Sequence, residues 1–257
     1  MDMELKKDLL ALATEIAQQA GALLGQRPAV FDLNQKSSAV DFATQMDIAS
    51  EKLIVDAILA QRPDDGIFGE EGSDRTGSTG ITWVIDPLDG TVNYFYGMPG
   101  WNVSIAVKDG DGVQVGVVFA PTINGLWQGV RDGGSTYNGT AITCNDPITL
   151  DRALIATGLS YDIAKRTGQA ELLSRLIPRI RDIRRNGAAA VDLCMVAMGA
   201  LDAYFELGTK EWDHAAGGLI AQEAGARVTG RHGGEPNEAM VIAAGPALHA
   251  QLVREID

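Results

Sequence analysis

Two acidic residues, placed three positions apart in one short segment, carry the clearest chemistry in this chain. A β-branched, apolar run at residues 83–85 leads into Asp86, and Asp89 follows. The run predicts a buried strand that presents Asp86 at its carboxyl end. Gly90 and Thr91 then open a turn whose free N–H groups suit a phosphate. The segment is also typical of a strand, a turn and a helix cap, but carboxylates beside an anion site favour hard cations between them.

Acidic residues recur in three further segments of the chain. Glu70 and Glu71 lie between two glycines, directly after the apolar pair 67–68. Asp213 precedes a run of small and apolar residues that predicts a buried helix, and Asp47 stands near the start of another predicted helix. Each segment alone is typical of a solvated loop or a capped helix. Their combination in one chain favours a shared site.

At these residues the chain resembles the inositol monophosphatase family, from about Leu5 to the C-terminus. The residues that carry the resemblance are Gly69-Glu70-Glu71, Asp86-Pro87-Leu88-Asp89-Gly90-Thr91, Trp212-Asp213-His214-Ala215-Ala216-Gly217, Lys36-Ser37-Ser38 with Asp41 to Asp47, and Gly187-Ala188-Ala189 with Ala203-Tyr204-Phe205-Glu206. The resemblance implies a mixed α+β and α/β fold, a five-layer αβαβα sandwich of the inositol monophosphatase and fructose-1,6-bisphosphatase type. It also implies a Mg²⁺-dependent, lithium-sensitive phosphoric monoester hydrolase.

The resemblance further implies two metal ions, with a third as an option. Glu70, Asp86 and the Leu88 carbonyl would hold the first ion, and Asp86, Asp89 and Asp213 would hold the second, so that Asp86 bridges the two. Ligands that are all oxygen favour Mg²⁺, with Mn²⁺ as a substitute. The chain has only three histidines, and none is spaced as a ligand pair, which disfavours zinc.

Residues beside the metals receive their roles from the same resemblance. Glu70 with Thr91 would orient and deprotonate the attacking water, and Asp47 would accept the proton of the Thr91 hydroxyl. Glu71 and Lys36 are implied as accessory groups near a third metal. As isolated residues, Glu71 is also typical of a solvated acid and Lys36 of an ordinary surface lysine.

Substrate contacts are implied at the phosphate and at the alcohol. The residues are Gly90 and Thr91 for the phosphate, and Gly187, Ala188, Ala189 and Glu206 for the alcohol. Many family members carry Ser or Thr where this chain has Ala188, so one potential hydrogen bond is absent. The implied substrate is the phosphate monoester of a small polyol, first of all myo-inositol 1-phosphate. Histidinol phosphate, fructose 1,6-bisphosphate and 3′-phosphoadenosine phosphates are rivals within the superfamily.

Two basic features near these segments permit more than one interpretation. A bisphosphate substrate would need a second basic pocket, which the arginines at 179, 181, 184 and 185 could supply, although the pattern favours a solvated edge strand. His214 adjoins Asp213, but on a helix it would point about 100° away from its neighbour. We therefore expect His214 to point outward or to pack, and not to bind metal.

Composition limits the remaining function classes. The chain has 257 residues and a formal charge of −13, which disfavours direct nucleic-acid binding. Cys144 and Cys194 predict free thiols. There is no signal-peptide core and no apolar run of about 20 residues, so we expect a cytoplasmic protein without membrane contact. The family implies a homodimer, and some bacterial relatives imply a non-catalytic alternative, a partner in a transcription complex.

The apolar spacing predicts elements that would position these residues. It indicates helices over 5–23 and 48–59, then an antiparallel meander of strands over 103–107, 113–119 and 126–130. Pro87 cannot donate a ladder hydrogen bond and should end the strand that carries Asp86. After residue 151, strands and helices alternate, which favours an α/β layer. We place a soft boundary between residues 1–146 and 147–257, two parts that pack tightly and can count as one domain.

Overall fold

The computed structural model of the chain describes residues 1–38 and 41–256, without the side chains of Ser37, Ser38 and Asp41. The part of the family resemblance that these three side chains carry therefore falls outside the described residues. The helices are α1 Met3–Leu24, α2 Gln45–Gln61, α3 Thr91–Tyr96, α4 Ile163–Leu176, α5 Ala189–Ala197, α6 Glu211–Glu223 and α7 Pro246–Ile256. The strands are β1 Leu33–Ser38, β2 Asp41–Thr44, β3 Gly66–Gly69, β4 Thr82–Asp89, β5 Asn102–Asp109, β6 Gly112–Ala120, β7 Gly125–Val130, β8 Gly134–Tyr137, β9 Thr140–Ala141, β10 Leu154–Thr157, β11 Asp182–Arg184, β12 Ala203–Glu206, β13 Arg227–Thr229 and β14 Val241–Ala244.

The strands form two large sheets and one hairpin. The first sheet has seven strands in the order β3-β4-β5-β6-β7-β8-β9. Only β3 and β4 are parallel in it, and the rest is the antiparallel meander that the sequence predicts. The second sheet has five strands in the order β11-β10-β12-β14-β13 and mixes parallel with antiparallel pairs. Strands β1 and β2 form the separate hairpin.

Helices cover both faces of each large sheet. α1 and α2 pack on the outer face of the first sheet through a core that includes Leu9, Ile54 and Trp83. α5 and α6 lie between the sheets, in a core to which Ala216 and Tyr204 belong. α4 and α7 cover the outer face of the second sheet. The layers therefore run helix, sheet, helix, sheet, helix, and the predicted five-layer sandwich is confirmed.

One local prediction was wrong in an informative way. The strand that carries Asp86 does not end at Pro87 but continues to Asp89. β4 pairs with β5 at Asp86 opposite Ser104, and the pairing resumes at Asp89 opposite Asn102 after a shift in register. Pro87 falls inside this irregularity, where the ladder needs no N–H donor. The strand thus delivers both aspartates to one edge of the sheet.

Two other properties of the described chain bear on earlier expectations. Cys144 and Cys194 are free, as predicted. None of the helices with the bounds given above is long and apolar enough to cross a membrane. The compartment and the division near residue 146 stay predictions.

Candidate active site

Acidic residues from distant parts of the sequence meet at one edge of the first sheet. β3 and β4 are parallel neighbours, so the loop after β3 and the end of β4 lie side by side. The first turn of α6, the start of α5 and the end of β12 face them across a cavity of about 480 Å³. Of the residues expected from the sequence, the cavity is lined by Glu70, Asp86, Leu88, Asp89, Gly90, Thr91, Gly187, Ala188, Ala189, Glu206 and Asp213.

Asp86 lies at the floor of this arrangement and is 2 % exposed. The Leu88 N–H group donates to Asp86 Oδ1 over 3.0 Å, which fixes the carboxylate within the irregular end of β4. Burial raises the pKa of Asp86 well above its ordinary value, and the charges of Glu70, Asp89 and Asp213 raise it further. The four carboxylates therefore face one another closely enough to repel.

Asp89 accepts hydrogen bonds from the first sheet and from α5. Asn102 Nδ2 donates to Asp89 Oδ2 over 2.8 Å, and the Ala190 N–H group donates to the same oxygen over 2.9 Å. The Ala189 N–H group, which the sequence analysis assigned to substrate, donates to Asp89 Oδ1 over 3.3 Å. Burial raises the pKa of Asp89 to about 6, although these hydrogen bonds oppose the rise. The N–H groups of Ala189 and Ala190 at the start of α5 are thus already bonded to Asp89, which makes them less available to an alcohol.

Asp213 occupies the first turn of α6, as the sequence predicts. Its Oδ2 accepts a hydrogen bond from the Lys210 N–H group over 2.6 Å. Burial raises the pKa of Asp213 well above its ordinary value, as do the charges of Glu70 and Asp89. His214 is half-buried, burial lowers its pKa, and it is not among the residues that line the cavity.

Lys36 connects the β1–β2 hairpin to the acidic loop after β3. Its Nζ lies 2.7 Å from Glu70 Oε1 and 2.6 Å from Glu71 Oε1. Burial alone would lower the pKa of Lys36, but the two carboxylates raise it overall. Burial raises the pKa of Glu71 to about 7 in spite of Lys36. Lys36 is thus an exposed residue that is paired with both acids, and the accessory role of Lys36 and Glu71 stays a prediction.

Glu51 is a supporting residue that the sequence analysis missed. Its buried carboxylate accepts the N–H group of Glu71 over 2.9 Å and that of Ser73 over 3.1 Å. The loop that carries Glu70 is therefore tied to α2. Glu51 follows Asp47 by four positions on the buried face of that helix. A second acid one turn after Asp47, on the face that also carries Ile54 and Ile58, was the signal that could have revealed it.

Thr91 lines the cavity and is half-buried, and Asp47 lies buried behind it. Thr91 Oγ1 lies 2.9 Å from Asp47 Oδ1 and 3.1 Å from the Leu88 carbonyl oxygen. Asp47 is 0 % exposed, and its Oδ2 accepts both the N–H and the hydroxyl of Thr44 at the start of α2. Burial raises the pKa of Asp47, and the hydrogen bonds from Thr44 and Thr91 oppose the rise. The Thr91 hydroxyl thus donates to Asp47, as the resemblance implies, and the catalytic roles of the two residues stay predictions.

Glu206 ends β12 on the far side of the cavity. Its Oε2 accepts the Tyr204 hydroxyl over 2.8 Å. A Cβ added to Gly158 would lie 1.9 Å from the Glu206 carboxylate, so only glycine allows the carboxylate this position. Burial raises the pKa of Glu206 to about 7, and the charge of Arg185 opposes that rise. Glu206 therefore lies in the cavity and outside the group of four carboxylates.

The arginines divide into two groups. Arg179 pairs with Glu255, and Arg184 pairs with Asp182, as expected for a solvated strand edge. Arg185 instead lines the cavity, close to the Gly187 backbone. A cationic side chain thus faces the part of the cavity that Glu206 occupies.

The acidic cluster fits divalent metal in its chemistry, although its side chains do not form a closed cage here. Within residues 1–38 and 41–256, no three His, Cys, Asp or Glu side chains are already arranged to hold an ion. Glu70 is instead paired with Lys36. The donors on offer are carboxylates and the Leu88 carbonyl, all oxygen, and their mutual repulsion favours a cation. Both properties fit Mg²⁺.

The raised pKa values predict how the metal-free protein responds to pH. Burial raises the pKa of Glu71 and Glu206 to about 7 and that of Asp192 to about 8. The native state then binds more protons than the unfolded state, so stability is lost as pH rises through these values. The lowered pKa values of His214 and His249 act oppositely, but only below about pH 6.5.

We therefore expect the thermal unfolding midpoint in chelator to fall between about pH 6.5 and pH 8.5. Differential scanning calorimetry across this range measures it. A midpoint that rises or stays constant would contradict the raised pKa values of Glu71, Asp192 and Glu206. Ionic strength should be held constant throughout, because salt screens the same repulsion.

The sandwich of five layers, with a carboxylate-lined cavity at the end of β4, defines the structural class. The family model described as the inositol monophosphatase family matches residues 5–257. The chain belongs to this family, whose members are phosphoric monoester hydrolases.

Individual relatives agree with this assignment. The inositol-1-monophosphatase SuhB of Mycobacterium tuberculosis is 40% identical, over 95% of this chain and 92% of the relative. The Nus factor SuhB of Pasteurella multocida is 36% identical, over 96% of this chain and 95% of the relative. The crystal structure of the extragenic suppressor protein suhB from Bartonella henselae superposes with a TM-score of 0.92 at 29% identity, covering 97% of this chain and 98% of the other.

Proposed function

We propose that the protein is a Mg²⁺-dependent phosphatase that hydrolyses the phosphate monoester of a small polyol, with myo-inositol 1-phosphate as the first candidate. The observation that carries the proposal is the group of four carboxylates, of which Asp86 and Asp89 are buried, in one cavity with Glu206. Such a group is unfavourable on its own and is stabilised by divalent cations. A relative named inositol-1-monophosphatase supports the choice of alcohol.

The metal ligands in this proposal come from one edge of the first sheet and from α6. Glu70, Asp86 and the Leu88 carbonyl would hold one ion, and Asp86, Asp89 and Asp213 a second. Bound Mg²⁺ would lower the pKa of a water molecule and neutralise charge on the phosphoryl oxygens. Glu70 would have to exchange its contact with Lys36 for this role, which leaves Lys36 and Glu71 as accessory groups at the hairpin.

Thr91 would orient the attacking water together with Glu70, and Asp47 would accept the proton of the Thr91 hydroxyl. The Thr91 hydroxyl donates its one hydrogen to Asp47 Oδ1 or to the Leu88 carbonyl, so its lone pairs remain for the water. Asp47 is fixed by Thr44 and cannot turn away. Glu70, at the same edge of the sheet, would provide the second acceptor for the water. This arrangement orients the water before the reaction, which reduces the entropy cost of the step.

The substrate would lie between the two halves of the cavity. The N–H groups of Gly90 and Thr91 would receive the phosphate. Gly187 and Ala188 would offer backbone contacts to the alcohol, together with Ala189 where its bond to Asp89 permits. Glu206 has one oxygen that does not bond Tyr204, and this oxygen can accept a hydrogen bond from a polyol hydroxyl.

Other substrates and one non-catalytic role compete with this proposal. Arg185 in the cavity favours an alcohol with a second anionic group, such as fructose 1,6-bisphosphate. The acidic Glu206 would also suit the ammonium group of histidinol phosphate, and 3′-phosphoadenosine phosphates are a further rival. The relatives named Nus factor SuhB support the alternative of a transcription-complex partner. A homodimer, lithium sensitivity, a cytoplasmic location and Mn²⁺ as a substitute ion belong to the main proposal.

Phosphate release from a panel of these esters tests the proposed function. We expect the highest kcat/KM for inositol 1-phosphate, and no activity in excess chelator. Glu206→Gln removes a charged acceptor worth about 1.5–3 kcal/mol, so kcat/KM for this substrate should fall about 10- to 100-fold. Glycerol 2-phosphate, which has fewer hydroxyls, should be much less affected.

Arg185→Ala is the matched variant on the same cavity wall. It should leave inositol 1-phosphate hydrolysis nearly unchanged. If fructose 1,6-bisphosphate is the best substrate of the wild type, and Arg185→Ala reduces kcat/KM for that ester alone, then the substrate is fructose 1,6-bisphosphate and not inositol 1-phosphate. Full activity in chelator would overturn the metal-dependent proposal as a whole.

A further inference from the structure

Asn102 contacts Asp89 from the interior of the first sheet. It opens β5 and pairs directly across from Asp89. Its side chain is 0 % exposed, and its Nδ2 donates to Asp89 Oδ2 over 2.8 Å. An ionised carboxylate can only accept, so this contact fixes which end of the Asn102 amide faces Asp89.

Packing alone does not explain an amide at this position. Asn102 Oδ1 is buried and has no hydrogen-bond partner in the part of the chain that the structure describes. Burying an amide with an unused acceptor costs folding free energy. A leucine, which has the same branched arrangement of heavy atoms, would avoid that cost. The benefit of Asn102 must therefore come from its contacts with Asp89, a short bond to Oδ2 and a long one of 3.5 Å to the carbonyl oxygen.

The hydrogen bonds of Asp89 are unequal between its two oxygens. Oδ2 accepts two short bonds, from Asn102 Nδ2 at 2.8 Å and from the Ala190 N–H group at 2.9 Å. Oδ1 accepts one longer bond, from the Ala189 N–H group at 3.3 Å. The carboxylate is therefore held at Oδ2 between the first sheet and α5. Oδ1 is the oxygen with more electron-pair capacity left for a cation.

We propose that Asn102 is a positioning residue that selects Oδ1 of Asp89 as the metal-binding oxygen. It does so by occupying Oδ2 from the sheet side, so that the carboxylate cannot rotate to present Oδ2. The inference rests on the proposed function, because it requires Asp89 to be a metal ligand. Groups that orient a ligand in this way typically change metal affinity by about 10- to 100-fold.

Asn102→Leu tests the inference, since it removes the donor and keeps the branched shape of the side chain. We expect Mg²⁺ binding, measured by isothermal titration calorimetry without substrate, to weaken about 10-fold. The unfolding midpoint of the metal-free protein should fall no further than that of Asn145→Leu, which removes a comparable bond away from the cavity. This combination separates positioning from stabilisation, because a purely structural residue would change the midpoint and not the affinity.

Asn145→Leu is the matched control. Asn145 Nδ2 donates to Asp202 Oδ1 over 2.9 Å, and Asp202 is 8 % exposed, as is Asp89. The control therefore removes the same type of bond to an equally buried aspartate that does not line the cavity, together with a bond to the Gly199 carbonyl oxygen. It should lower the unfolding midpoint and leave Mg²⁺ affinity unchanged.

The outcomes separate this inference from the proposed function. Wild-type protein that shows no Mg²⁺ binding would overturn the proposed function. Wild-type binding with an equal affinity in Asn102→Leu would overturn only the role of Asn102. If Asn102→Leu does not fold, Asn102→Ala is titrated in its place, and failure of both to fold would show that the amide serves the fold itself.

Discussion

Asp86→Asn should reduce kcat by about 10³-fold at saturating Mg²⁺, the scale of losing a major electrostatic contribution to a transition state. Asp86 is the carboxylate whose pKa the other three raise together, and it is the proposed bridge between two ions. An asparagine Oδ1 can still accept the Leu88 N–H group, so the local turn should persist. Steady-state phosphate release from inositol 1-phosphate measures the effect.

The same substitution should stabilise the metal-free protein. Removing the most buried of four mutually repelling carboxylates lowers the electrostatic cost of folding, so the unfolding midpoint in chelator should rise. Asp202→Asn is the control, because Asp202 is buried away from the cavity and accepts the Asn145 amide and the Leu154 N–H group. It should lower the midpoint and preserve kcat. If Asp86→Asn lost activity and stability together, misfolding would account for the loss.

The sequence was sufficient for the parts of the site that local patterns encode. Asp86 and Asp89 follow a β-branched run, and Asp213 precedes a run of small residues, so both their elements and their positions at the ends could be predicted. Their convergence came from the family resemblance, since spacing alone does not indicate which strand ends meet. The continuation of β4 past Pro87 depends on its register against β5, which is a property of the pair and not of either strand.

The supporting contacts could not be predicted because they join residues far apart in the chain. Asp89 and Ala190 are 101 positions apart, and Lys36 and Glu70 are 34 apart. No local sequence pattern marks such pairs. Burial in the folded chain decides whether a polar side chain bonds to water or to a protein partner. Gly158 illustrates the same limit. The reason that this position must lack a side chain is visible only in the folded structure, where the Glu206 carboxylate lies against it.

Thr91→Val should lower kcat for inositol 1-phosphate by about 10²-fold, the lower end of the usual effect of a group that transfers or orients a proton. Valine keeps the β-branched shape at the start of α3 but has no hydroxyl to contact Asp47 or a water. The KM should change little, since the phosphate contact proposed for Thr91 is through its backbone. The fall in kcat with a nearly constant KM is the measured signature.

Thr91→Ser is the matched variant, because it keeps the hydroxyl and removes only a methyl group. Its kcat should stay within about fivefold of the wild type, and its hydroxyl should still reach Asp47. If valine and serine lose activity equally, the methyl group and not the hydroxyl matters, and the proposed proton path through Thr91 and Asp47 is wrong. If neither variant loses activity, the water must be oriented by Glu70 alone, and Asp47 would then serve only the cap of α2 that its bonds to Thr44 already form.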